Sequence, residues 1–313
     1  MNNVAVPKRV KIINLRQSSF KRSRYLLILA IPAVIWYLVF CYYPMYGVQI
    51  AFKQFSLSKG IWGSEWVGLK YFAKLMQYDE FWNAVRNTLV ISVSKIIVGF
   101  PMPILLAILL NELRSNKLKR SLQTVFTFPH FISWVIAYSL FNTLLSGEGI
   151  INMARTSMGL SSIGFLSSNS TFFGVLLTTE VWKAMGWSSI LYCAAIANIN
   201  PEIIEASIVD GANRFQRIWY ITLPGISVTI VTLLILAVGG VMNAGFDQIF
   251  NFYNPLVYSS SDIIDTYVYR LSFGGTNGFS IATAVGLFKS IINFALLFGA
   301  DRIAKACGQP GIY

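Results

Sequence analysis

The sequence predicts an all-α integral membrane protein with six transmembrane helices. Three observations carry that reading. Hydrophobic residues make up 55% of the chain and charged residues only 12%, against about 25% charged in an ordinary soluble domain. The mean hydropathy is +0.59. Apolar stretches about 20 residues long, the length a helix needs to cross a hydrocarbon core about 30 Å thick, recur along the chain.

Residues 1–24 form a basic tail carrying Lys8, Arg9, Lys11, Arg16, Lys21, Arg22 and Arg24, with no sustained periodicity. Its expected contact is anionic membrane lipid. Residues 25–313 form one transmembrane domain, with no internal repeat or low-complexity tract. The first apolar segment, Tyr25–Phe52, follows the tail as a signal peptide's core would. No small-residue cleavage site follows it, so an uncleaved anchor is expected. Cys41 follows Leu38-Val39-Phe40 as in a lipoprotein cleavage box, but bulky Phe40 stands where that box needs a small residue.

The loop Lys53–Asn87 holds Trp62, Trp66, Tyr71, Phe72, Phe81 and Trp82. Amphipathic rings favour the membrane interface, so this loop is read as an interfacial anchor or as a direct contact for solute. The remaining predicted spans are Thr88–Leu110, Phe128–Leu145, Phe172–Asn198, Pro224–Phe250 and Phe279–Ala300.

The net charge of +12 does not indicate nucleic acid, because the basic residues gather in the tail and beside apolar runs instead of interleaving with aromatics on one face. They set topology. The tail, the loop with Arg114, Lys117, Lys119 and Arg120, the loop with Arg214 and Arg217, and the C-terminal Arg302 and Lys305 all fall on one side of a six-span arrangement. The opposite loops hold fewer: Lys53, Lys59, Lys70, Lys74, Arg86, Arg155 and Arg270. Positively charged loops stay inside, so both termini are expected in the cytoplasm. Cys41, Cys193 and Cys307 have no CxxC spacing and His130 is the sole histidine, so no metal site is expected.

The polar loop 200–224, between the fourth and fifth spans, has its own local code. Asn200 suits a helix cap, Pro201 the first turn, and Glu202 and Glu205 the positive helix end. A short helix is expected from Pro201 to about Asp210, ended by Gly211 in the left-handed conformation. A second amphipathic turn with Phe215, Ile218 and Trp219 then leads to Pro224 at the start of the fifth span. A capped helix alone is a common surface element.

Ionisable groups inside a bilayer are costly unless they face protein or water, so each is a functional candidate. Here they are Lys95, Glu180, Lys183, Asp247 and Lys289. Lys95 is expected to snorkel outward, and Glu180 and Lys183, three apart on one helix face, to pair. Asn243, Asp247 and Asn251 recur every four residues, predicting a polar stripe on the fifth helix with Phe246 and Gln248 on its flanks. Amides and carboxylates beside flat rings suit sugar recognition, with Trp182, Trp187, Asn254, Lys289 and Asn293 contributing from neighbouring segments. The competing reading is hydrogen bonding between helices.

The order Glu205-Ala206-Ser207, Asp210-Gly211-Ala212 and Ile221-Thr222-Leu223-Pro224 resembles the EAA loop of bacterial ABC importer permeases, with Ser207 where a second alanine is common. Tyr43-Pro44-Met45-Tyr46-Gly47, Ile50-Ala51-Phe52-Lys53, Trp66-Val67-Gly68-Leu69, Trp182-Lys183, Gly186-Trp187 and Asp265-Thr266-Tyr267-Val268-Tyr269-Arg270 resemble the sugar-permease branch represented by LplB-type polysaccharide transport proteins. The resemblance implies the type I ABC importer permease fold in a bacterial inner membrane, with a coupling helix lying in a cleft of a cytoplasmic ATPase. Glu202, Glu205, Ala206, Asp210, Gly211, Ala212 and Pro224 would form that contact. It also implies a second homologous permease, two ATPase subunits that bind ATP and Mg, and an extracytoplasmic lipoprotein that delivers an oligosaccharide. The chain has no GxxxxGK[ST] phosphate loop, so it is expected to be non-catalytic and to hold no cofactor of its own. Two alternatives stand beside this reading: an ion-coupled carrier without an ATPase, and a membrane enzyme acting on lipid-linked glycans through His130.

Overall fold

The computed structural model describes residues 27–273, 278–306, 308 and 311. The predicted basic tail and Cys307 lie outside the described residues. Each of the six predicted spans overlaps helical segments among the described residues. Leu27–Phe52, Asp79–Asn111 and Gly278–Ala306 are each long and apolar enough to cross a membrane, and two bent pairs of helices add up to two more. The helix Asn169–Ala197 has 29 residues, about 43 Å at 1.5 Å per residue. Glu180, Lys183 and several hydroxyl-bearing side chains make it less apolar than the others.

The first segment ends in a π turn, Leu38–Tyr42, and a 3-10 stretch, Tyr43–Phe52, with Pro44 in its first turn. The second begins at Asp79 rather than Thr88, because Asp79 and Glu80 complement the positive end of the helix. A search by apolarity passes over that polar first turn.

Two predicted spans are corrected. Phe128–Leu145 is not one helix: Asn116–Phe131 and Trp134–Ser157 meet at 102°. The chain leaves the helix at Ile132, and Ser133 caps the next one through Ile136 N–H at 3.3 Å. Pro224–Phe250 is also broken. Arg214–Gly225 and Ser227–Gly239 meet at 60°, and the backbone is non-helical from Gly240 to Gly245 before a short helix Phe246–Phe252.

The loop after the first segment carries a two-stranded antiparallel ribbon, Lys53–Gln54 with Glu65–Trp66, a small addition to the all-α expectation. Tyr71, Leu75 and Phe81 from this loop and the following helix start pack with Met242, Tyr267 and Val285 in one buried cluster. A second cluster, with Ile91, Phe172, Leu176, Ile249 and Phe252, joins the second, fourth and fifth segments. A third, with Ala107, Tyr192, Ile196 and Ile226, lies near the polar loop.

Candidate functional site

The loop 200–224 folds as its local code requires. The Asn200 side chain accepts from Glu202 N–H at 3.0 Å and caps the helix Pro201–Val209. Gly211 has φ +79°, and the Ala212 N–H returns to the Ser207 carbonyl at 2.9 Å. That left-handed closure satisfies carbonyls at the helix end. Asn213 and Gln216 form a reciprocal capping box at 2.8 and 2.9 Å, so the second turn starts immediately. Arg217 binds the Ala212 carbonyl at 3.1 Å and fixes the angle between the two pieces. Not one residue of Pro201–Val209 is buried. Glu202, Glu205, Ala206, Asp210, Gly211 and Pro224 are exposed and Ala212 is half-buried. Ile203, Ile208 and Val209 also face outward, Val209 at 87% exposure. The helix thus exposes apolar side chains and carboxylates together.

Inside the bundle, a cavity of about 330 Å³ lies between the second, fourth and fifth segments. Its polar lining includes Ser92, Lys95, Glu180, Ser188 and Asn243, and its apolar lining includes Phe100, Met185 and Tyr192. Lys95 does not snorkel outward. Its Nζ donates to Glu180 Oε2 at 3.1 Å, to the Ala244 carbonyl at 2.8 Å, and to Gln248 Oε1. A cation so placed is stable only because every neighbour is an acceptor.

The predicted pairing of Glu180 with Lys183 is therefore corrected. Lys183 Nζ turns the other way and donates to the carbonyls of Pro129 and His130, at 3.3 and 2.8 Å, and to that of Ile132. It caps the helix end at the 102° bend and sits 5.4 Å from the Trp134 ring centre. Trp182 packs edge-on against Phe141 at 5.2 Å. Trp187 stacks on His130 at 4.6 Å and is 46% exposed.

The predicted stripe of Asn243, Asp247 and Asn251 is also corrected. Asn243 lies in the non-helical break, so no helical spacing relates it to the other two. Asp247 is exposed at the start of the short helix, and Asn251 Nδ2 donates back to the Asp247 carbonyl at 2.7 Å. Gln248, expected on a flank, is the fully buried member; its Nε2 donates to the Leu176 carbonyl and Thr179 Oγ1, both at 2.8 Å. Phe246 stacks with Phe250 at 5.1 Å. Asn293 Oδ1 accepts from Met242 N–H at 3.0 Å, and Asn254 caps the turn at Leu256. Lys289 pairs with Asp265 at 2.5 Å. Of the predicted path residues, only Asn243 lines the cavity.

Two fastenings escaped sequence reasoning. Arg270 clamps Asp262 with bonds of 2.8 and 2.6 Å, which hold its guanidinium charged above arginine's usual range. Asn87 Nδ2 reaches the carbonyls of Ser259 and Asp262, both at 3.1 Å. Together with Lys289–Asp265 they tie the segment Ile264–Phe273 to the second and sixth segments. The signal available was polarity: the charged Arg270 and Asp262 and the amide of Asn87 each need a partner, but the sequence does not say which.

A helical bundle with broken segments, an internal part-polar cavity and an exposed helix in a polar loop defines a multi-pass membrane permease. The chain belongs to the family described as binding-protein-dependent transport system inner membrane component, whose model matches residues 99–307. It is 44% identical over 298 residues to protein LplB of Bacillus subtilis (strain 168), covering 95% of this chain and 93% of that protein. It is 41% identical over 293 residues to the polygalacturonan/rhamnogalacturonan transport system permease protein YteP of the same organism, covering 93% and 91%. The fold is similar to a chain in the crystal structure of a bacterial alginate ABC transporter in complex with alginate pentasaccharide-bound periplasmic protein. That match has a TM-score of 0.85 at 38% identity and covers 94% of this chain and 99% of that one. The family match favours neither the ion-coupled carrier nor the enzyme alternative.

Proposed function

We propose that this permease imports an oligosaccharide by ATP-driven alternating access, with the helix Pro201–Val209 as the point where a separate ATPase grips it. The observation that carries the reading is the bare surface of that helix: no residue is buried, while Ile203, Ile208 and Val209 stand beside Glu202 and Glu205. ATP and Mg belong to two ATPase subunits. Closure of the ATPase dimer displaces the coupling helices, and a pair of homologous permeases turns its shared cavity outward. An extracytoplasmic lipoprotein presents the sugar there, and hydrolysis resets the cavity inward. Both termini and the coupling loop lie in the cytoplasm.

The oligosaccharide cargo is supported by two relatives, a polygalacturonan/rhamnogalacturonan transport system permease and a chain of an alginate ABC transporter. The 330 Å³ cavity, with hydroxyl, amide and charged groups beside Phe100 and Tyr192, has the mixed lining that a sugar ring requires. In this reading Asn243 contacts solute, while Trp182, Lys183, Lys289 and Asn293 hold the walls.

Affinity purification of the full chain from its native membrane tests this directly. The expected result is co-elution of an ATPase and a second permease, lost when Glu205→Arg and Val209→Asp are combined. Retention of the ATPase by that double variant would refute the docking assignment.

A further inference from the structure

The non-helical stretch Gly240–Gly245 interrupts the fifth segment with Val241, Met242 and Ala244 buried, and buried backbone groups without partners are strongly penalised. Two side chains from other segments answer it. Asn293 accepts from Met242 N–H at 3.0 Å, and Lys95 donates to the Ala244 carbonyl at 2.8 Å. Lys95 also holds Glu180 at 3.1 Å and Gln248, and Gln248 holds Leu176 and Thr179. One ammonium therefore joins the second, fourth and fifth segments.

Gly245 has φ +94°, a conformation that favours glycine, and a Cβ there would lie 2.9 Å from Lys95 Nζ, so a larger residue would displace the ammonium. The knot has two different sides. Toward the coupling loop lies the cavity, with Lys95, Glu180 and Asn243 on its wall. Away from the loop, Ile91, Phe172, Leu176, Ile249 and Phe252 are all at most 1% exposed and pack together in one buried cluster.

We propose that Lys95 is a positioning residue that forms the latch at the end of the cavity remote from the coupling loop. It holds the break in the fifth segment against the fourth while the cavity faces the loop, and it lets go of Ala244 and Gln248 when the cavity opens to the opposite face. This inference rests on the alternating-access reading above. A buried lysine that serves only stability would affect yield; a latch also sets the side from which the cavity is reached.

The test uses the full chain co-expressed with its transport partners, with Cys41, Cys193 and Cys307 replaced by alanine and a single N243C substitution on the cavity wall. A membrane-impermeant maleimide is applied to right-side-out and to inverted vesicles. With Lys95 intact and no nucleotide, the thiol at position 243 should react from the coupling-loop side and only slowly from the other. Lys95→Met should raise the far-side rate about tenfold, as expected when loss of a buried partner raises a minor open state of about 1%. Gly245→Ala and Gln248→Leu should do the same, and they decide the matter if Lys95→Met fails to accumulate. Unchanged far-side rates in the inserted variants would overturn the latch. If the intact protein showed no change of sidedness on adding a non-hydrolysable ATP analogue, the alternating-access reading itself would fall.

Discussion

Lys183 illustrates how a single intramembrane charge is made tolerable. A helix end exposes carbonyls without partners, and the bend after Phe131 places three of them around one ammonium. No carboxylate is needed. Lys183→Met keeps the stem but leaves those carbonyls unanswered, a loss of about 2 kcal/mol for charge-assisted bonds; thermal inactivation of the detergent-solubilised protein should show it, and an unchanged midpoint would rule the cap out. Lys289 and Asp265 form a conventional pair instead, with side chains only 16% and 25% exposed. A double-mutant cycle with Lys289→Met and Asp265→Asn should return a coupling of about 1–3 kcal/mol, and additive losses would mean the two do not interact. The need of each such group for a partner was legible in the sequence. The choice of partner was not, because Lys95 and Glu180 meet across 85 positions of chain, and helical spacing reports only on neighbours three or four apart.

At the scale of elements, legibility divides along the same line. The loop 200–224 is legible nearly residue by residue, since caps, the left-handed Gly211 and the following turn are decided by side chains within a few positions. The breaks at Ile132 and Gly240–Gly245 were not, because Lys183, Asn293 and Lys95, which make them tolerable, come from other segments. An apolar count continues across a break without registering it. The local code also yields a prediction. Gly211→Ala imposes about 1–2 kcal/mol at φ +79°, and Asn200→Ala removes a cap of about 1 kcal/mol. Neither change touches the bundle, so insertion should be normal while ATP hydrolysis proceeds without uptake. Normal uptake in both variants would show that the angle between the two pieces of the loop carries no motion.

For the whole molecule the decisive property is sidedness. Hydrophobicity cannot supply it: the apolar window of the first segment has none of its residues buried, and such a helix is equally comfortable in lipid in either direction. Charge can. Arg214, in the loop that bears the helix Pro201–Val209, lies 4.0 Å from Glu112, just before Lys117, Lys119 and Arg120 on the helix Asn116–Thr127, so the two basic loops share one end of the bundle. Positively charged short loops are retained in the cytoplasm, so this face, and with it the coupling helix, should be inside. The turn after the helix Ile150–Ser157 should be outside. In a background without native cysteines, S157C and D210C both place a thiol at an exposed position. An impermeant maleimide added to intact cells should modify the first and spare the second, with the pattern inverted in inside-out vesicles. The opposite pattern would turn the molecule over and put the bare helix beyond the reach of any cytoplasmic ATPase, leaving the cavity without a motor.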